Sequence, residues 1–220
     1  MRIIVVRHYK TLINVSNQIM GWGDSPRAKG WESDLSFVDK ILRKNDLDFG
    51  AIYTSNLERA RQTGMYYARS RHIPLIHDAP ELNEVNYGSL YRKSKKWVEK
   101  NIPQHKKDPY FVYPNGESFG QMQERSVNFL LSLSEQYRNQ TILIVVHAGV
   151  IRGFVSHLLK LSYAENLKRK ISHRYIGDFL LEDQNCVRYA ELGKPSGFSK
   201  VGTISIPWEG NGGIPNQQDI

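Results

Sequence analysis

Apolar residues along this chain fall into short continuous runs and longer stretches at helical spacing, and the two alternate. Ile3 to Val6 is a continuous β-branched run, the pattern of a strand buried on both faces. A polar loop marked by glycine follows, Gly21-Trp22-Gly23-Asp24-Ser25-Pro26. Leu35, Val38, Ile41 and Leu42 then recur at helical spacing and predict a helix over Trp31 to Lys44. Ala51 to Thr54 reads as a second strand, and Leu57 to Arg71 as the helix after it. Met122, Val127, Leu130 and Leu131 give one apolar side to a helix from Phe119 to Tyr137. Thr141 to Val146 is the strongest strand signal, and it passes through His147-Ala148-Gly149 into a helix ending near Lys160. Phe179 to Glu182 and Val187 to Leu192 predict a hairpin at one edge. Strands alternating with amphipathic helices predict an α/β protein, a single three-layer α/β/α domain around a mainly parallel sheet. That domain is expected over residues 1–193. From 194 to 220 glycine, proline and polar residues dominate apart from Val201 to Trp208, and an irregular tail is expected.

A length of 220 residues suits one domain with a short tail. No apolar run approaches the roughly 20 residues needed to cross a bilayer. The first apolar stretch is closed by Arg7 and is too short for a secretory core. The lone cysteine, Cys186, excludes an intramolecular disulfide and a multi-cysteine metal site, so the cytoplasm is the expected location. The formal charge of +8 favours anionic partners. The basic residues are nevertheless scattered. Clusters such as Arg92-Lys93-Ser94-Lys95-Lys96 and Lys168-Arg169-Lys170 read as solvated helical faces. No zinc finger, helix-turn-helix or basic zipper is present, so neither nucleic acid nor membrane is expected as a partner.

Two histidines close the two best strand candidates: His8 after Ile3–Val6, and His147 after Thr141–Val146. In open α/β sheets the carboxyl ends of the strands are where ligands bind. Arg7 stands beside the first histidine, and Arg59 opens a helix just after another strand. Arginine presents a planar fork of donors that suits phosphate oxygens, and helix N-termini add oriented N–H groups. Singly, each residue has an ordinary explanation as a hydrogen-bonded loop histidine or a surface arginine. Their joint occurrence on one sheet edge predicts a dianion pocket.

In order along the chain, these segments resemble the histidine phosphatase superfamily, in its phosphoglycerate mutase-like branch. Arg7-His8-Tyr9-Lys10-Thr11-Leu12-Ile13-Asn14 is similar to the family's opening Arg-His-Gly-x-Thr-x-x-Asn signature. Ser55-x-Leu57-x-Arg59-Ala60-x-x-Thr63 resembles the second signature, and Leu82-Asn83-Glu84 with Tyr87-Gly88 the stretch holding the acid. Gly116-Glu117-Ser118 resembles the start of the long helix, and Val146-His147-Ala148-Gly149-Val150-Ile151-Arg152 the closing His-Gly-Gly-x-x-Arg signature. The resemblance implies that His8 is a nucleophile that becomes phosphorylated. It implies that Arg7, Arg59 and His147 hold the phosphoryl oxygens, and that Glu84 protonates the leaving alkoxide and then activates water. Asn14, Gly21, Tyr87 and Ala148 would touch phosphate or substrate. No metal or cofactor is implied, since arginine and histidine supply the positive charge.

Two positions depart from the pattern: Tyr9 stands where the family has glycine, and Ala148 replaces the first glycine after His147. Tyr9 would narrow the pocket, stack on a substrate, or face solvent. Only Gly88 to Asn115 separates the acid from the long helix, which resembles the broad-specificity and α-ribazole phosphatases more than the mutases. The resemblance therefore implies hydrolysis of small phosphomonoesters. The alternatives are a mutase-type phosphotransfer and, in another class, a non-catalytic phospholigand-binding regulator. Lys93, Lys95, Lys96 and Trp97 are read as a solvated face in preference to a lid. A homodimer is an expectation by analogy alone.

Overall fold

Two strands buried on both faces organise the sheet. In the computed structural model, which describes residues 1–73 and 76–193, β1 (Arg2–Arg7) pairs in parallel with β4 (Thr141–Val146). β2 (Ala51–Thr54) lies parallel on the other side of β4, followed by a three-residue edge strand, β3 (Ile76–Asp78). Beyond β1, β5 (Ile176–Glu182) and β6 (Asn185–Glu191) form the expected antiparallel edge hairpin. The order is β3-β2-β4-β1-β5-β6. The tail expected over 194–220 lies outside the described residues.

Although β1 and β4 read as unbroken apolar runs, their side chains alternate between two cores. Ile3, Val5, Ile142, Ile144 and Val146 face one core, and Ile4, Val6, Leu143 and Val145 face the other. The first core is closed by α5 (Phe119–Gln136) through Met122, Val127 and Leu130, and by α6 (Ala148–Leu158) through Val150, Ile151 and Phe154. The second is closed by α2 (Trp31–Lys44) through Leu35, Val38 and Leu42, and by α3 (Glu58–Arg71) through Ala60 and Tyr67. These are the three layers the pattern predicts. The chain leaving β1 crosses on the α2 side, whereas the chain leaving β4 enters α6 on the opposite side. Neighbouring parallel strands whose exits diverge in this way define a topological switch point, where a crevice opens at the carboxyl edge. His8 and His147 are the first residues beyond those two strands.

Four short elements carry too few residues for periodicity to reveal them. β3 is one. The others are α1 (Leu12–Val15), α4 (Lys95–Asn101) and α7 (Tyr163–Leu167), each started by a side-chain cap, from Thr11, Ser94 and Ser162. Such turns depend on their caps and on tertiary contacts more than on an apolar stripe. Among the described residues no helix is long and apolar enough to cross a membrane.

Helix α3 carries Arg59 and lies against β2 so closely that a Cβ at Gly64 would come within 2.4 Å of Thr54 Cγ2. In an open helix Gly→Ala is stabilising by about 1 kcal/mol. Here Gly64→Ala should instead destabilise by roughly 1–3 kcal/mol, because the extra methyl overpacks the interface. Urea unfolding decides the sign, and a stabilised variant would show that α3 can lift from the sheet without cost.

Candidate active site

The His8 backbone N–H donates to the Val146 carbonyl at 2.9 Å, which extends the β1–β4 pairing by one residue. Its ring is buried, and Nδ1 lies 2.6 Å from the Tyr9 carbonyl. A carbonyl only accepts, so Nδ1 carries the proton and Nε2 keeps its lone pair for whatever enters the site. Burial holds the imidazole well below its usual pKa of 6.5, and the nearby charges of Arg59, His147 and Arg7 push the same way. The ring is therefore neutral at neutral pH. The His147 ring lies 5.1 Å away and its Nε2 is 2.6 Å from Ser55 Oγ, at the end of β2. His147 is the N-cap residue of α6 but makes no side-chain capping bond, which leaves its imidazole to the site. Its pKa too is far below 6.5, first through burial and then through Arg59 and Arg7.

Three arginines surround this pair. Arg7 Nη1 donates to the Ile171 carbonyl at 2.6 Å, and Arg152 Nη2 to the Arg169 carbonyl at 3.0 Å. Arg59 is fully buried, and its two terminal nitrogens donate to the carbonyls of Gly23 (2.9 Å) and Gly21 (2.7 Å). Burial lowers both Arg7 and Arg59 to about 10, partly offset by Glu84, so both remain cations. Among the described residues none of the three forms an ion pair. Arg7 Nε, Arg59 Nε, Arg152 Nε and His147 Nδ1 are buried without a hydrogen-bond partner among the described residues. Desolvated donors and cations in such number fit an oxyanion.

Glu84 is held from two sides. One carboxylate oxygen accepts from Val85 N–H at 3.0 Å, and the other from Gly149 N–H at 3.2 Å, in the first turn of α6. A Cβ at Gly149 would sit 2.1 Å from Glu84 Oε1, so only glycine lets the helix start approach the acid this closely. Arg125 on α5 donates to the carbonyls of Glu81 (2.6 Å) and Glu84 (3.0 Å) and pairs with Glu117 at 2.6 Å. Glu117 belongs to the Gly-Glu-Ser segment, whose carboxylate thereby anchors the acid's backbone.

A cavity of about 280 Å³ opens beside these groups, and Arg7, His8, Glu84, Lys95 and Arg152 line it. Asn14, Gly21, Tyr87 and Ala148, the four residues expected to touch substrate, line it as well. Asn14 is fixed by its capping box with Thr11, and Gly21 takes a left-handed φ of +53°. Arg59 and His147 are close enough to His8 to depress its pKa but are not part of the lining. The expected pocket thus splits into a lining and a buried layer. Lys95 is exposed, as its reading as part of a solvated face expects, and it also lines the cavity, where it forms no ion pair among the described residues. The pattern anticipated the exposure but not the cavity, because a lysine in a basic cluster looks the same whether or not a cavity lies beside it.

Tyr9 neither narrows the cavity nor faces solvent. Its ring is 3% exposed, packs edge-on against Trp31 at 5.5 Å between α2 and α3, and its hydroxyl donates to Gln62 Oε1 at 2.9 Å. Tyr9 has no positive φ, so the turn does not need the family's glycine. Ser55, Arg125, Arg152 and His173 also belong to the site but carried no assigned role. Ser55 and Arg152 fall inside the signatures already quoted, whereas nothing local marks Arg125 or His173.

A parallel-sheet α/β domain with a histidine pair and arginines at its switch point defines a phosphoryl-handling class. A sequence profile of the histidine phosphatase superfamily (branch 1) matches residues 3–186, and the chain belongs to that family. It is 27% identical over 180 residues to a 2,3-bisphosphoglycerate-dependent phosphoglycerate mutase of Bartonella henselae, covering 77% of this chain and 87% of the relative. It is 28% identical over 169 residues to the adenosylcobalamin/alpha-ribazole phosphatase of Escherichia coli, covering 72% and 79%. Its fold matches the phosphoserine phosphatase of Entamoeba histolytica, solved with 3-phosphoglyceric acid, at a TM-score of 0.76 and 21% identity, covering 88% of this chain and 97% of that one.

Neutral burial of His8 and His147 has a thermodynamic signature. As pH falls below about 6.5 the unfolded chain binds protons that the native state excludes. Stability is therefore fully present above that pH and declines below it, each buried histidine adding a slope that approaches about 1.4 kcal/mol per pH unit. Urea midpoints should fall between pH 7.5 and pH 5.5 and fall less steeply in His147→Gln. Equal slopes in the two proteins would contradict a neutral, buried His147.

Proposed function

We propose that this protein is a metal-independent phosphomonoesterase that works through a phosphohistidine at His8. The observation that carries this reading is a neutral imidazole with Nδ1 committed to its own backbone, in a cavity that also holds Arg7, Arg152, Lys95 and the carboxylate of Glu84. The phosphate of a small monoester would enter with its oxygens against the arginines. His8 Nε2 then attacks phosphorus in line with the ester oxygen, the P–O bond breaks, and Glu84, protonated in the substrate complex, transfers that proton to the departing alkoxide. In the second half Glu84 removes a proton from water, the hydroxide attacks phosphorus, and the P–N bond to His8 breaks. Arg7, Arg59 and His147 offset the charge on the equatorial oxygens in both halves. The buried donors that lack protein partners support this assignment, since they need no reorganisation to meet that charge.

Hydrolysis is favoured over mutase transfer by the short segment between Glu84 and α5. A mutase has to hold the phosphoenzyme away from water long enough for retransfer, and here the segment between the acid and the long helix is short, Gly88 to Asn115. The lone Cys186 is buried and its thiol pushed up to about 11, so the reading needs no redox chemistry from it and accords with the cytoplasm.

The test is phosphate release from a panel of phosphomonoesters in EDTA, including p-nitrophenyl phosphate, 3-phosphoglycerate, phosphoserine, sugar phosphates and nucleotides, with mutase activity assayed alongside. Wild type should turn over at least one substrate, and His8→Ala should lose about 10⁴-fold or more in kcat. With p-nitrophenyl phosphate, whose leaving group needs no proton from Glu84, Glu84→Gln should slow dephosphorylation and allow an acid-labile, base-stable phosphoenzyme to accumulate. Undiminished turnover in His8→Ala would overturn the nucleophile, and isomerisation of phosphoglycerate without net phosphate release would establish the mutase instead. Tight ligand binding with no turnover by wild type would support the non-catalytic regulator.

A further inference from the structure

We propose that His173 is a positioning residue that, with Thr63, clamps the peptide plane between His8 and Tyr9 and so sets the ring orientation and tautomer of the nucleophile. The inference rests on the reading of His8 as the nucleophile. β1 ends at Arg7, so beyond the His8 N–H the sheet ladder no longer holds the chain. The 8–9 peptide is held by side chains instead. Its carbonyl, that of His8, accepts from His173 Nδ1 at 2.9 Å. Its N–H, that of Tyr9, donates to Thr63 Oγ1 at 3.0 Å, and that hydroxyl in turn donates to the Arg59 carbonyl at 2.7 Å. The next carbonyl, that of Tyr9, is the acceptor for His8 Nδ1 at 2.6 Å. A rotation of the 8–9 plane would carry this acceptor away from the ring, and with it the constraint that leaves Nε2 unprotonated.

His173 lies in the segment between α7 and β5, and its ring meets that of His8 nearly edge-on with centroids 5.5 Å apart. The same segment holds Arg7 and Arg152 through the backbone carbonyls of Ile171 and Arg169. Its contact with His8 is made by a side chain, so substitution can remove it without removing the backbone contacts. Burial, then Arg7, pushes the His173 pKa down to about 3, so the clamp works as a neutral donor and adds no charge beside the phosphate. Thr63 belongs to the second family signature, whereas His173 lies beyond the closing one, which is why no motif pointed to it.

The test compares His173→Asn, His173→Gln and His173→Ala. The Asn amide nitrogen occupies nearly the place of imidazole Nδ1, whereas Gln carries its amide one bond further out. His173→Ala should lower kcat by about 10- to 100-fold, the scale of an angstrom-level misplacement, with KM changed less than about twofold. His173→Asn should recover most of that loss and His173→Gln little. A second measurement does not depend on turnover: ¹⁵N spectra of histidine-labelled protein should show His8 as a single Nδ1–H tautomer in wild type and His173→Asn, and as a mixture in His173→Ala. Wild-type kcat with an unchanged His8 tautomer in His173→Ala would overturn the clamp. Equal loss in all three variants would do the same, by showing that ring volume matters and the donor does not. Full activity in His8→Ala would sink the nucleophile reading separately, and the tautomer spectra would still judge the clamp.

Discussion

Parallel pairing of β1 with β4, buried on both faces, is the constraint on which the rest of this molecule depends. It fixes the register in which Arg7 lies opposite Val146, and therefore brings the residues that follow, His8 and His147, within 5.1 Å of one another. The chain then leaves the two strands toward opposite faces of the sheet, which opens the crevice between them. Slipping either strand by one residue would exchange Ile3 and Val5 with Ile4 and Val6 between the two cores and turn the histidines apart. The apolar packing that stabilises the sheet and the geometry of the site are thus one arrangement.

The site concentrates positive charge where water is scarce. Among the described residues Arg7, Arg59 and Arg152 make no ion pair, and they satisfy part of their hydrogen-bonding capacity on backbone carbonyls. Carbonyls neutralise little charge, so the field remains available to an incoming dianion. Burial, and then the charges of Arg59 and Arg7, keep His8 and His147 neutral. The arginines thus make the site attractive to an anion and also oppose protonation of the two imidazoles. The cost is a set of buried donors left without protein partners, acceptable in a functional site and unfavourable elsewhere.

Several residues shape the site without entering the chemistry. Gly149 lets the start of α6 press against Glu84, Arg125 ties the backbone of Glu84 to α5, and Trp22 Nε1 donates to the Glu84 carbonyl at 2.6 Å. Arg59 holds the loop at Gly21 and Gly23 while its charge acts on His8. Tyr9 roots the turn after His8 in the core between α2 and α3. The backbone after His8 is anchored by an aromatic ring, a hydroxyl bond and the bonds of His173 and Thr63 to the 8–9 peptide.

Much of this was legible in the chain alone, because the features concerned are local. Continuous β-branched runs declared β1 and β4, helical spacing declared α2, α3 and α5, and the Arg-His, Ser-x-Leu-x-Arg and His-x-Gly segments marked the sheet edge that holds the site. What the sequence could not decide depends on distance across the fold. Whether Tyr9 met the cavity, the solvent or the core followed from the packing of α2 on α3, which leaves a slot for its ring. That the exposed Lys95 also borders the cavity was settled by the seating of the 92–95 segment beside α1, through bonds from Ile19 N–H to the Lys93 carbonyl and from Lys95 N–H to the Asn17 carbonyl. His173 met His8 only because β5 runs antiparallel to β1, which returns the chain to the strand end 165 residues later. Periodicity and motif report what a residue is beside in the chain, while these three assignments belong to what it is beside in space.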